Sequence, residues 1–315
     1  MMDNIWQSLK KPIFCLAPMF GATDSAFRRL LAEIGKPDIM FTEFTNVQAL
    51  FSPDKTAVQQ LTFIPKEQPL IAQIWGQDPE LFEAAAALLV KAGFAGIDIN
   101  LACPIRAVVK KGAGAGMIPN RQLVGDIIKA TIAGAQGRIP VSVKTRLGLN
   151  QIEPGWIEFL LNQNLDALII HGRTAKAMSA GPVHWKEITK IVRLRNQLKS
   201  KTLIIGNGDI FSRPIANQRI KQTGINGVMI GRGVFHDPYI FNPRETIKTK
   251  TKTQKLKLLN QHLDTYETTW GQTRSYQPLK RFFKIYVNNF KGALALRIKL
   301  MNTQSIDEAK AIIGQ

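Results

Sequence analysis

The chain has 315 residues, 45% hydrophobic and 21% charged, a composition that excludes a disordered protein and a length that suits one large barrel with a small appendage. Its 42 lysines and arginines against 23 acidic residues give a formal charge of +19, which favours a polyanionic partner. We expect a cytoplasmic protein, because the sequence shows neither a secretory leader nor an apolar run of about 18 residues that could span a membrane.

Eight short apolar runs, partly β-branched and bounded by polar residues, glycine or proline, predict the strands of a parallel α/β sheet. The predicted strands are 12–16, 39–44, 70–75, 96–101, 140–143, 167–170, 202–205 and 227–230. Amphipathic stretches between them predict helices, among them 79–92, 120–135 and 185–198. Eight strands in one array favour a closed (β/α)8 TIM barrel over an open doubly wound sheet. We predict this barrel over residues 1–244.

The strand pattern stops near Glu245, and the rest of the chain predicts helices at 253–269, 277–289, 293–300 and 306–313. Residues 245–315 contain 13 lysines and arginines and five acidic residues, a net charge of +8. Basic and aromatic residues alternate in 279–286, which predicts a helix that buries one face and shows cations on the other. We predict a small C-terminal helical domain over 245–315. A solvated surface helix without a ligand is the alternative interpretation of its charge.

Cysteine and histidine spacing predicts no metal site, because the two cysteines and four histidines form no paired metal-binding motif. Cys15 lies inside the first predicted strand and is expected to be an inert, buried thiol. Cys103 instead lies in a polar loop three residues after Asn100 and directly before a proline. This second cysteine is therefore the candidate for chemistry.

Polar or small residues follow almost every predicted strand, at the strand ends where the catalytic groups of a TIM barrel lie. In chain order these residues are Ala17-Pro18-Met19 after the first strand, Glu43 within the second, Gln73 within the third, and then Asn100 with Cys103, Lys144 with Arg146, His171 with Arg173, Asn207-Gly208-Asp209 and Gly231-Arg232-Gly233. The glycines after the last two strands let backbone amides approach an anion beside a helix N-terminus. Together these two loops predict a ligand that carries a phosphate.

The motifs at the strand ends resemble those of the tRNA-dihydrouridine synthase family. They are, in order, APMFGATDSAFRR, TEF, QIWG, DINLACP, VSVKTRLG, IIHGRT, IIGNGDI and MIGRG, and they span about residues 12–241. The resemblance implies a TIM barrel that binds FMN, followed by a helical domain that binds tRNA. It implies NADPH as the transient reductant, with NADH as an alternative, and reduction of uridine to 5,6-dihydrouridine. We expect a monomer.

The resemblance also implies residue roles wherever the motif residue is present. Pro18 and Met19 correspond to the backbone wall beside the flavin ring. The implied polar contacts to the ring are Gln73, Lys144 and His171, and the implied phosphate clamp consists of Asn207, Gly208, Asp209, Gly231 and Arg232.

Cys103 is implied to be the general acid, which protonates C5 of uracil while the flavin delivers hydride to C6. An unperturbed thiol, with a pKa of about 8.5, is mostly protonated at neutral pH, as this role requires. The expected substrate contacts are Asn100, Arg173 and Glu43 in the barrel, with Lys280, Arg281 and Lys284 in the tail.

The sequence departs from the family pattern at Ala102, where glycine is common, and at Ala177 and Ser179, where Gln and Tyr are frequent. Two other functions therefore stay open. One is a flavin-dependent oxidoreductase of free pyrimidines or dihydroorotate, which would share the phosphate site but need no basic tail. The other is a tRNA-binding protein that has kept the barrel and lost catalysis.

Overall fold

The centre of the fold is a sheet of nine parallel strands, seen in a computed structural model that describes residues 4–53 and 56–314. The strands are β1 (Ile13–Leu16), β2 (Met40–Phe41), β3 (Thr45–Asn46), β4 (Leu70–Trp75), β5 (Gly96–Leu101), β6 (Val141–Arg146), β7 (Ala167–His171), β8 (Leu203–Asn207) and β9 (Gly227–Ile230). Their order is β1-β9-β8-β7-β6-β5-β4-β2, and β3 pairs with β4 beyond β2. A bridge between Cys15 and Ile39 brings the two outer strands together. The predicted TIM barrel is confirmed.

Helices surround this sheet and continue into the C-terminal tail. They are α1 (Ile5–Ser8), α2 (Ser25–Ile34), α3 (Val47–Leu50), α4 (Thr56–Gln60), α5 (Pro79–Lys91), α6 (Arg106–Lys110), α7 (Arg121–Ala135), α8 (Pro154–Leu161), α9 (Trp185–Gln197), α10 (Arg213–Thr223), α11 (Lys252–Trp270), α12 (Phe283–Tyr286), α13 (Ala293–Asn302) and α14 (Ile306–Ile313). Across the described part of the chain, no helix has both the length and the apolar composition that a membrane crossing needs.

Side-chain caps explain where two of the three predicted barrel helices begin. The Asp78 carboxylate accepts hydrogen bonds from the first backbone amides of α5, and the Asn120 side chain accepts one from the Leu123 amide in α7. Such caps satisfy amide groups that have no partner inside the helix. The helices predicted at 79–92, 120–135 and 185–198 are confirmed to within one residue at each end.

Two predicted strands differ clearly from the observed ones, whereas the other six agree to within two residues at each end. The second, 39–44, is interrupted between β2 and β3. At this point the backbone N–H of Gln73 donates to the Thr42 hydroxyl at 3.0 Å, in place of a backbone carbonyl. The fifth was predicted to end at residue 143, whereas β6 continues to Arg146. Lys144 and Arg146 still pair with the neighbouring strands, so polar side chains lie on the strand itself.

Two apolar clusters hold the barrel together. The smaller one fills the barrel interior and includes Cys15, Phe41 and Met229. Trp6 of α1 belongs to it, is fully buried and lies 6.4 Å from the Phe41 ring. The larger cluster lies between the strands and the outer helices. Cys15 is a buried free thiol in this interior, as predicted.

The helical tail shares the larger cluster with the barrel. α11 packs along α2, and the rings of Phe27 in α2 and Phe282 in the tail lie 4.8 Å apart. His262 of α11 is buried beside both rings. Since the tail completes the hydrophobic packing around α2, removing it would expose apolar barrel surface.

The helix predicted over 277–289 is wrong in its extent. The segment forms a 3₁₀ helix, Gln277–Phe282, followed by the single turn of α12. Its expected exposed cationic face is also wrong in part, because residues on several sides of the segment are buried: Leu279, Lys280, Phe282, Phe283, Ile285 and Tyr286. An amphipathic helix would bury only one stripe.

Candidate active site

One cavity, here the strand-end cavity, lies where β1 and β6 to β9 end. Nine of the ten predicted cofactor contacts line it: Pro18, Met19, Lys144, His171, Asn207, Gly208, Asp209, Gly231 and Arg232. The tenth, Gln73, lies deeper in the barrel and is fully buried. Residues at the C-terminal ends of five separate strands thus meet at one place, as the parallel barrel requires.

Lys144 brings an ammonium group into the strand-end cavity. This group makes no hydrogen bond and no ion pair with the part of the chain that the structure describes. Burial, followed by the charge of Arg146, lowers the pKa of Lys144 to about 8. A cation without a protein partner in a polar cavity favours an anionic ligand, because such a ligand would offset its desolvation.

His171 lies at the end of β7 beside several cations. Burial, followed by the charges of Lys144, Arg146, Arg173 and Arg232, lowers the pKa of His171 to about 2. The imidazole is therefore neutral at working pH and can donate one hydrogen bond. It contributes a polar contact to the cavity without adding a charge.

The glycine loops after β8 and β9 shape the cavity wall. Gly208 has φ +133°, and a Cβ at this position would lie 2.8 Å from Val183. A Cβ on Gly231 would lie 3.5 Å from both Ala17 and Met19, which also line the cavity. Side chains at these two positions would be strained or would narrow the site. The loops therefore suit a ligand that approaches the backbone closely, such as a phosphate.

Asp209 does not have the open carboxylate that a direct ligand contact would need. Both of its oxygens are held by arginines: Arg173 donates to both of them, and Arg232 donates to one. The hydrogen bond from Arg173 is the main reason why the pKa of Asp209 is lowered. The structure thus makes Asp209 a support for the two guanidinium groups, of which only Arg232 is exposed.

Arg173 was expected to contact uracil or phosphate, and the structure places it differently. Its guanidinium is buried, pairs with Asp209 and donates to the Gly181 carbonyl. It also lies 3.4 Å from the His171 ring nitrogen. A buried guanidinium needs several acceptors. Gly181 in the loop after β7 and Asp209 after β8 supply them, so Arg173 supports the site wall.

A buried chain of hydrogen bonds, here the β4–β5 network, leads to Cys103. Asp98 accepts from the Ser142 hydroxyl and from the Gln73 amide, both at 2.7 Å. The other end of the Gln73 side chain accepts from Asn100 at 3.0 Å. The Asn100 oxygen then accepts from the backbone amides of Ala102 and Cys103, both at 3.0 Å. Each group orients the next, so the position of Cys103 depends on Asp98.

This network changes the expected roles of Gln73 and Asn100. Gln73 uses its oxygen and its nitrogen within the protein, and Asn100 uses its oxygen twice. Asn100 was expected to contact the uracil edge, whereas the observed contacts make it a positioning residue for the Cys103 loop. Burial raises the pKa of Asp98 to about 6, although Ser142 and Gln73 stabilise its charged form.

The Cys103 thiol lies almost buried in the loop after β5, with 9% of its surface exposed. Burial raises its pKa above the ordinary thiol value, against the lowering effects of the Ile105 amide, Arg146 and Lys144. The thiol is therefore protonated at neutral pH. It is in the form that a proton donor needs.

Arg146 is a site residue that the sequence did not single out for a role. Its guanidinium donates to the carbonyl of Ala102 at 2.8 Å and to the carbonyls of Thr174 and Met178. It therefore ties the Cys103 loop to the loop after β7. The sequence feature that points to Arg146 is its position in the motif VSVKTRLG, at the same strand end as Lys144.

The comparisons with known proteins agree with the motifs. The family model for dihydrouridine synthase (Dus) matches residues 15–314. The chain is 43% identical to a probable tRNA-dihydrouridine synthase of Staphylococcus aureus (strain COL), over all of this chain and 96% of the relative. It is 41% identical to the probable tRNA-dihydrouridine synthase 2 of Bacillus subtilis (strain 168), over 99% of this chain and 96% of the relative. The chain belongs to the dihydrouridine synthase family.

Solved structures resemble this dihydrouridine synthase family member in fold alone. Morphinone reductase matches with a TM-score of 0.53 and 12% identity, over 75% of this chain and 86% of its own. An old yellow enzyme homologue from Zymomonas mobilis matches with a TM-score of 0.50 and 13% identity, over 75% of this chain and 90% of its own. Both likenesses support the barrel architecture.

Glu43 was expected to contact substrate, but in this dihydrouridine synthase family member its carboxylate joins the barrel to the tail. It accepts from the Gly21 amide and pairs with Arg274 of the tail at 3.1 Å. Arg274 also lies 3.8 Å from Asp24, which accepts from the Trp270 indole. The buried carboxylate needs these partners, so the sequence motif TEF marks a structural contact here.

The three expected RNA contacts in the tail lie in different surroundings. Lys280 is buried and donates to the Met301 carbonyl at 3.0 Å, so the expected contact with RNA is not supported by its position. Arg281 is exposed beside Gly21. Lys284 is exposed and lines a groove between barrel and tail with Arg244 and Lys248.

Proposed function

We propose that this chain is an FMN-dependent tRNA-dihydrouridine synthase, which reduces uridine in tRNA to 5,6-dihydrouridine. The observation that carries the proposal is the strand-end cavity, which nine expected cofactor contacts line. One of them is Lys144, whose ammonium has no partner among the described residues. The family membership and the names of the relatives, both probable tRNA-dihydrouridine synthases, support the same activity.

The residues of the cavity suit the parts of FMN. The loops at Gly208 and Gly231 would receive the phosphate, with the exposed Arg232 guanidinium beside them. Lys144 and His171 would contact the ring system, where a cation stabilises negative charge. When bound, FMN supplies hydride to C6 of uracil and is itself reduced by a nicotinamide dinucleotide, for which we propose NADPH.

Cys103 would supply the proton. Burial keeps the thiol protonated, and the Asn100 oxygen fixes the loop by accepting from the Cys103 amide. The S–H bond breaks as a C–H bond forms at C5 of uracil, and the thiolate that remains lies near the charges of Arg146 and Lys144. These cations stabilise the thiolate until a proton from solvent restores the thiol.

Residues 245–315 would bind the body of the tRNA. The tail carries a net charge of +8, and its exposed cations Arg281 and Lys284 lie on the side that faces the barrel. Because phosphate contacts release counterions, tRNA affinity is expected to fall steeply with salt. A free pyrimidine would not need this surface.

The test combines a purified reaction with nucleoside mapping. Protein with FMN and NADPH is incubated with an unmodified tRNA transcript, with free uracil or with dihydroorotate, and tRNA from cells with and without the gene is analysed by mass spectrometry. We expect dihydrouridine in the transcript and its loss from one position in the deletion strain. A reaction with the free pyrimidine alone, or a colourless protein that binds tRNA without turnover, would refute the proposal.

A further inference from the structure

Three aromatic side chains form a partly exposed row at the mouth of the barrel. The rings of Phe20 and Phe44 lie 5.5 Å apart with an interplanar angle of 34°, and Phe44 and Trp75 lie 6.5 Å apart at 78°. Phe20 is 60% exposed, and the other two are half-buried. We call these three residues the aromatic platform. Its exposed end costs solvation free energy unless a ligand covers it.

The platform is attached to both halves of the candidate active site. Phe20 follows Met19 of the strand-end cavity, and the next amide, that of Gly21, donates to Glu43 directly before Phe44. Trp75 is the last residue of β4, two positions after Gln73 in the β4–β5 network. These links hold the three rings beside the site where the target base would react.

The surroundings of the platform carry positive charge. The Arg281 guanidinium lies 3.3 Å from the position that a Cβ of Gly21 would take, next to Phe20. Lys111 borders a groove beyond Trp75. An exposed ring with a cation beside it can stack a nucleobase and neutralise its phosphate at the same time. A partner protein that docked an aliphatic surface here would need neither the exposed ring nor the cation.

We infer that the aromatic platform stacks an unpaired nucleobase that neighbours the target uridine in the tRNA. This inference rests on the proposed function. It adds a second base-binding position, outside the cavity, which would hold the flanking nucleotide while the uridine is extruded toward Cys103. Stacking accepts any base face, so the platform would favour an unpaired, flexible target segment over a particular sequence.

Phe20 variants test the ring itself. In tRNA-binding titrations, Phe20→Ala and Phe20→Leu are both expected to weaken binding by about 5- to 100-fold, whereas Phe20→Tyr should bind like the parent protein. Reduction of FMN by NADPH should be unchanged in all three, which excludes misfolding. Leu198→Ala is the matched control, since Leu198 is 38% exposed on the opposite end of the barrel, beside Asp166.

A second measurement couples the ring to the flanking base. A tRNA that is abasic beside the mapped uridine should bind the parent protein as weakly as intact tRNA binds Phe20→Ala, and combining both changes should add little. Bound tRNA should also quench the fluorescence of Trp75, because the other four tryptophans are buried. Trp75→Phe should abolish that change.

The two proposals fail in different ways. A parent protein that forms no dihydrouridine would refute the proposed function. A parent protein that is active, with Phe20→Leu equal to it in affinity and no coupling to the abasic site, would refute the platform alone.

Discussion

On the β6–β9 side of the site, Lys144 carries an ammonium that has no partner within the described residues, and the backbone at Gly208 and Gly231 leaves room for a ligand. On the β4–β5 side, Asp98 and Asn100 belong to a chain of hydrogen bonds that continues to the Cys103 amide without a ligand. On the first side, the Lys144 charge is uncompensated among the described residues, although Asp209 pairs with Arg173 and Arg232. The other side pairs its buried polar groups.

The difference indicates two kinds of preorganisation. A side with unpaired charge stores binding free energy for an anion, so its residues should affect cofactor affinity. A side with paired groups fixes geometry before any ligand arrives, so its residues should affect the rate of proton transfer. Substitutions on the two sides should therefore separate cofactor binding from uridine reduction.

The largest expected effect is that of Cys103→Ala. Loss of a positioned acid should slow uridine reduction by about 10²- to 10⁴-fold, because proton transfer to C5 then has no protein donor. Reduction of FMN by NADPH should proceed near the parent rate, since that half-reaction needs no thiol. Stopped-flow absorbance follows the flavin, and mass spectrometry follows dihydrouridine.

Cys15→Ala is the matched control for this substitution. Cys15 lies in the barrel interior, so the variant should lose some stability while both half-reactions keep their rates. If Cys103→Ala formed dihydrouridine at the parent rate, the thiol would have no part in the mechanism.

Asp98→Asn should separate charge from geometry within the β4–β5 network. The amide oxygen can still accept from Gln73, and the Ser142 hydroxyl, which lies 3.3 Å from the Ile97 carbonyl, can rotate to accept from the new amide. The orientation of Asn100 and Cys103 should then persist. We expect uridine reduction within a few-fold of the parent rate.

The stability of this variant should depend on pH in a defined way. The pKa of Asp98 rises from 3.8 to about 6 on folding, so the folded parent binds more protons between these values and loses stability as pH rises. Asparagine lacks this titration. Relative to the parent, Asp98→Asn should gain about 2–3 kcal/mol between pH 4 and 7 in urea unfolding. Parallel stability curves would show that the Asp98 carboxyl is not perturbed.

Much of the fold followed from local patterns, because strand and helix periodicities and caps are short-range properties. The converging strand ends followed from barrel geometry, which brings Lys144, His171 and Gly231 together although they are far apart in sequence. Thr42 shows the limit of this reasoning. Its hydroxyl replaces a backbone acceptor, and only the register of two strands reveals that contact.

Residue roles were harder to predict, because they depend on which partner a side chain meets. The interior of the predicted strand over 96–101 contains Asp98, and a buried carboxylate in a strand signals a network, but its partners Gln73 and Ser142 lie on neighbouring strands. Lys280 looked exposed from its basic surroundings, yet it is buried against the chain near Met301. Long-range packing decides such cases.

Lys144→Met tests the open side of the comparison. Methionine keeps the apolar stem and removes the charge, so FMN should bind about 10- to 100-fold more weakly, as expected for one charge-assisted contact. Equilibrium dialysis with FMN measures this directly. Lys221→Met, an exposed lysine in the last turn of α10, is the matched control and should leave affinity unchanged. Equal affinities of the parent and Lys144→Met would show that the ammonium does not contact the cofactor.

The smallest expected effect is a shift of the pH dependence of Cys103 alkylation toward higher pH. Burial raises the pKa of the Cys103 thiol above its ordinary value, and this effect outweighs the lowering by the Ile105 amide and by the charges of Arg146 and Lys144. Only the thiolate reacts with iodoacetamide, so alkylation of Cys103 should be slower at pH 7 than that of a free cysteine peptide, whose pKa is about 8.5, and should reach its plateau at a higher pH than the peptide does. Cys103→Ala shows any contribution from Cys15.

The raised pKa of the thiol also predicts that uridine reduction persists at mildly alkaline pH and falls only when the thiol ionises. If the rate of alkylation levelled off below pH 8, the effect of the cations on the pKa would outweigh that of burial. Cys103 would then rest as a thiolate, which could not donate the proton.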